Sequence, residues 1–79
     1  MTAIKALLDG ERQGLAIEPA DVFRVEQETG LPFSLAMSQY HITEAVRRII
    51  EHGNVSEGVK TALNEMAARN QELLLESVR

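Results

Sequence analysis

The sequence contains no cysteine and no tryptophan, and only two prolines. Without thiols, neither a disulfide framework nor a thiolate metal centre can form. A core assembled from 79 residues rarely supplies more than about 3–5 kcal/mol, and small domains commonly add disulfides, a metal or a second subunit. With the first route closed, self-association is the favoured expectation. Aromatic side chains are equally scarce, Phe23, Phe33 and Tyr40 being the whole complement. No apolar run approaches the roughly 18–20 residues that span a bilayer. The opening Met1-Thr2-Ala3-Ile4-Lys5-Ala6-Leu7-Leu8-Asp9 lacks the basic start and long apolar stretch of a signal peptide. A cytoplasmic location is therefore expected.

A basic surface is also missing. Net charge is −4, with three basic and six acidic side chains in residues 1–30, two of each in 31–52, and three against four in 53–79. Proteins that hold nucleic acid or anionic membranes by charge need a stripe of lysine and arginine that displaces counterions. None is visible, so neither partner is expected.

Residues that carry chemistry are present but scattered. His41 and His52 are eleven positions apart, about 16 Å along one helix at 1.5 Å per residue, too far to share a metal. His41-Ile42-Thr43-Glu44 is one reversed fragment of the Glu-x-x-His pairs that di-iron bundles use in several copies. Ser34, Ser38, Ser56 and Ser77 lack a nucleophile elbow, and Asp9 and Asp21 sit in turn or cap contexts. The glycines occur singly, without a phosphate loop. The chain is expected not to be an enzyme and to have no catalytic residue, metal ligand or cofactor.

What is present is a punctuated helical pattern. Gly10, Gly14, Pro19, Gly30, Pro32, Gly53 and Gly58 divide the chain into four pieces. Thr2 caps a short first helix with Ile4, Leu7 and Leu8 on one face. Pro19 suits the first turn of a second, ending at Gly30, although Val22-Phe23-Arg24-Val25-Glu26 also reads as a strand. The third piece runs from Ser34 to His52, with Gly53 as a left-handed stop. Leu35, Ile42, Ala45, Val46, Ile49 and Ile50 share one face of it, and Glu44–Arg48 forms an i,i+4 pair. Ala36, Met37 and Tyr40 fall on the polar side, so either the helix breaks near His41–Thr43, with Thr43 capping a fresh helix, or an apolar patch is exposed. Ser56 caps a long last helix, which carries Glu65–Arg69 as a second pair. The expected fold is all-α: one domain over residues 1–79, a small bundle of about four helices, two of them short, with a long C-terminal helix and a dimeric state.

Binding surfaces follow from that last helix. Val55, Val59, Ala62, Leu63, Met66, Leu73 and Leu74 form its stripe, on a line that includes Asn70 and Ser77. An asparagine at such a position can pair with its symmetry mate and set register. The expected dimer interface is thus Val59, Leu63, Met66, Asn70, Leu73, Leu74 and Ser77. Leu75, opposite Val59, and Val78 fall outside the stripe and are expected to be exposed or covered by another chain. Phe33, Met37, Tyr40 and Arg47 join them as candidates for contacting a partner, because Met and Tyr are favoured at interfaces.

These features point to a non-enzymatic regulator that binds a larger protein, an inhibitor, adaptor or assembly factor of the kind phages and mobile elements carry. Two alternatives have specific residues behind them. Glu28-Thr29-Gly30-Leu31-Pro32-Phe33-Ser34 looks like the turn of a helix-turn-helix DNA-binding regulator spanning Val22 to Tyr40. There Glu26 occupies the position that should be small, and the second helix offers Gln39 for base edges but no cation for phosphates. Asp9, Glu11, Glu18, Asp21, Glu26 and Glu28 could instead mimic nucleic acid in a basic groove.

Overall fold

A computed structural model describes residues 2–79, which form four helices and, among the described residues, no strand: α1 (Ala3–Arg12), α2 (Pro19–Thr29), α3 (Phe33–His52) and α4 (Glu57–Ser77). None of the described helices is long and apolar enough to cross a membrane. The chain packs as two compact units, Met1–Met37 and Ser38–Arg79, with the boundary inside α3.

In the first unit, α1 starts where the Thr2 hydroxyl accepts a hydrogen bond from the Lys5 amide at 3.2 Å. Its inward residues Ile4 and Leu7 are buried as α1 packs on α2. The two helices are also joined at their ends. The Ala3 amide, one of the unpaired donors of a helix N-terminus, donates to the Glu28 carboxylate at 3.1 and 3.2 Å. Residues 19–29 are helical rather than extended. Pro19 occupies the first turn, the Asp21 carboxylate accepts from the Glu18 amide at 2.9 Å, and Val25 is fully enclosed.

The exit from α2 has the expected glycine stop. Gly30 takes φ 71°, a conformation costly for any side chain, while the Thr29 hydroxyl donates to the Val25 carbonyl and accepts from the Leu31 amide. This turn drives Leu31 into the core, where Ala36 is also buried. Glu26 then caps the next helix, accepting from the Phe33 amide at 2.8 Å. Its length at the position where a helix-turn-helix needs a small residue has this local use.

The second unit contains the rest of α3 and all of α4. α3 is continuous through His41–Thr43, and Thr43 caps no new helix; its hydroxyl accepts from Gln39 at 3.2 Å. Residues 53–56 link the two helices, and Gln39 meets both Ala67 and Asn70, so α3 and α4 run antiparallel. Gly53 departs from the expected left-handed stop, since only Gly14 and Gly30 have positive φ. Its amide closes α3 on the Ile49 carbonyl at 2.8 Å, and a Cβ would lie 2.5 Å from that oxygen. Glycine is required there by close approach. Ser56 caps α4 as expected, accepting from the Val59 amide at 3.4 Å.

Candidate interaction surface

The helix periodicity of α4 places two different sides against two different environments. Lys60, Leu63, Ala67, Asn70 and Leu74, spaced three and four apart, are half-buried, the pattern of a side packed on a neighbouring helix. About a quarter-turn away, Val59, Met66 and Leu73 repeat every seven residues and remain 46 %, 50 % and 48 % exposed. The single stripe expected from the sequence is therefore split. None of the described residues of α4 is buried.

A polar clasp holds the packed side. The Asn70 amide donates to the Gln39 carbonyl oxygen at 2.7 Å, and the Gln39 amide nitrogen donates to the Ala67 carbonyl at 3.1 Å and to Thr43. This satisfies two half-buried carboxamides and fixes the register of the hairpin. Asn70 thus has a partner within its own chain. Gln39 was considered in the sequence only for base edges. Its spacing from Thr43 hinted at a local bond, but nothing in one dimension places it beside residue 70.

The remaining candidates are dispersed. Ser77 is exposed and donates to the Leu74 carbonyl at 2.7 Å. Leu75, expected outside any packing, is half-buried, whereas Val78 is 40 % exposed at the end of α4. Phe33 and Met37 are half-buried in the first unit; Tyr40, half-buried with its ring edge-on to His41, belongs to the second. The unbroken α3 therefore leaves neither Met37 nor Tyr40 fully exposed.

Ion pairing along the helices also differs from expectation. Glu44 engages Arg47 rather than Arg48, at 2.8 Å, and Arg47 reaches Glu51 at the same distance. Hydrogen bonds that Arg47 donates to Glu44 and then to Glu51 raise its pKa above the already high ordinary value, so it stays cationic. Arg69 pairs with Glu72 at 3.6 Å rather than with Glu65. Among the described residues Arg48 and Glu65 form no ion pair. Both are exposed.

The acidic N-terminal half is largely engaged locally. Glu28 and Glu26 hold the amides of Ala3 and Phe33, Asp21 holds Glu18 and Arg24, and Asp9 lies 3.6 Å from Arg12. A groove of about 460 Å³ between α1 and α2 is lined by Ala3, Ala6, Gly10, Leu15 and Ile17, with Asp21, Arg24 and Glu28 at its polar side. Its ionic groups are those same capping and pairing residues. His41 and His52 lie on α3, and among the described residues no group of three or more metal-binding side chains is gathered.

Fold and surface together define an all-helical protein, with one unit that holds most of the buried side chains and one helical hairpin that exposes an apolar side. No family model, curated protein or solved structure matches the chain.

Proposed function

We propose that the protein is a non-enzymatic regulator that works as a homodimer and binds a larger protein, as an inhibitor, adaptor or assembly factor. The observation that carries this reading is α4, a 21-residue helix with no buried residue among those described and an exposed Val59, Met66, Leu73 row. A helix of this length gains most of its stability from burying an amphipathic face, and the apolar side chains of this one are at best half-buried. A second subunit would supply the missing contact. The larger partner would engage the α3 surface around Tyr40 and the ionic Arg47, with Val78 at the end of α4.

Two measurements test the two parts. Sedimentation equilibrium at about 10–100 μM should give twice the monomer mass; a monomer throughout would overturn the homodimer. Tagged protein expressed in its native cells should retain a defined partner that a Tyr40→Ala, Arg47→Glu variant loses while keeping its helicity and dimeric mass. Equal recovery by both forms, or no partner with either, would overturn the proposed regulator surface.

A further inference from the structure

The exposed row on α4 continues onto α3. Opposite residues in the hairpin are set by Gln39 lying beside Ala67 and Asn70, which brings Ile49 level with Val59 near the link. At about 100° per residue, Ile49 lies on the same side of the hairpin as Val59, Met66 and Leu73. Ile49 is itself 42 % exposed. The α3–α4 hairpin therefore presents one two-helix apolar face.

The edges of that face carry opposite charge. Beyond Ile49, the outer edge of α3 holds Arg48 without an ion pair among the described residues. Beyond Met66, the outer edge of α4 carries Glu65, Glu72 and Glu76 against one cation, Arg69, which pairs with Glu72; Glu65 is left without an ion pair among the described residues. Expected pairs on single helices would have neutralised these groups, but Arg47 and Glu72 take their partners instead.

We infer that the occupant of this face is a second copy of the chain, packed with the twofold axis parallel to the helices so that α4 of each copy lies against α3 of the other. This rests on the homodimer proposed above and specifies its geometry. In this arrangement Ile49 of one copy faces Val59 of the other, and Arg48 approaches Glu65 across each edge. Arg48 and Glu65 are about five residues apart in height, roughly 7.5 Å. Both side chains lean toward their own helix N-termini, which run in opposite directions and bring them closer. The alternative, α4 against α4, would set the carboxylate-rich edge against its own copy. α4, with 21 residues, is about 31 Å long and the part of α3 in the same unit, residues 38–52, about 22 Å; at 8–10 Å of width each they offer roughly 420–530 Å² per copy, about 850–1,050 Å² for the pair, the size of a weak, reversible interface. Asn70, clasped to Gln39, then lies inside each hairpin rather than across the twofold.

Because the chain has no cysteine, single-cysteine variants at exposed positions report contacts directly. Mixing I49C with V59C under oxidation should give a disulfide-linked heterodimer, while M66C alone should not self-couple. Arg48→Glu should weaken the dimer about tenfold, since two symmetry-related pairs are reversed, and adding Glu65→Arg should restore it. A dimer in which M66C self-couples and the I49C/V59C mixture does not would overturn this arrangement while leaving the homodimer standing. A monomer at every concentration would overturn both.

Discussion

The two units solve the same problem with opposite success. Of the six buried apolar side chains in the described chain, Ile4, Leu7, Val25, Leu31 and Ala36 lie in Met1–Met37, and only Val46 lies in Ser38–Arg79. The first unit uses two short helices and a tight turn that drives Leu31 inward, whereas the second has most of α3 and a still longer α4 joined by a brief link. Length is not the difference. Short helices meeting at a turn can surround a few side chains from several directions, but two long antiparallel helices have only one mutual seam and leave their sides open. The first unit encloses a small core while leaving Leu15, Ile17 and Phe23 exposed, and the second has the makings of half of a larger core.

Substitutions can break that contrast. The largest effect is expected from Leu31→Ala, which removes a buried side chain at a turn that cannot readily collapse and should lower unfolding free energy by about 2–4 kcal/mol. The same change at half-exposed Leu73 should cost below about 1 kcal/mol when urea unfolding is followed under dilute, monomeric conditions. Comparable losses at both positions would erase the distinction between the units.

Next comes Met66→Asp. It should leave monomer helicity unchanged while raising the dimer dissociation constant by roughly 100-fold, or about 2.7 kcal/mol, because a charge would be desolvated on the apolar face. Circular dichroism and sedimentation separate the two effects. Amide exchange across α4 should in turn slow with protein concentration in the parent chain but not in this variant.

A smaller effect belongs to the turn of the first unit. Gly30→Ala places a side chain at φ 71° and should cost about 1–2 kcal/mol by thermal unfolding. The smallest concerns the clasp. A double-mutant cycle on Gln39→Ala and Asn70→Ala should give a coupling of roughly 0.5–1 kcal/mol. Its absence would mean that the hairpin register is held by packing alone.

How far the sequence exposed these features depends on how local their causes are. Thr2, Pro19, Gly30 and Ser56 acted on their immediate neighbours, so helix starts and the stop of α2 were legible. Gly53 was legible as a terminator but not in conformation, because its reason is an oxygen one turn earlier. For the candidate surface, Val59, Met66 and Leu73 were identified as one apolar row, yet Leu63, Leu74 and Asn70 were merged with it. Helical periodicity cannot tell a seam from an adjacent open side when both are apolar. Ile49 was grouped on one face with Val46, which is buried, for the same reason.

The sequence by itself determined that the chain is helical, where three of the four helices begin, that a long C-terminal helix would carry more apolar surface than one seam can bury, and that no thiol could assist the fold. These follow from short-range sterics, caps and composition. Tertiary structure decided which side of α4 packs, that Asn70 is clasped by Gln39, that Glu26 and Glu28 hold helix N-termini, and that Arg48 and Glu65 are left without ion partners among the described residues. Each of these depends on groups brought together across turns and helices, where distance in space rather than along the chain selects the partner.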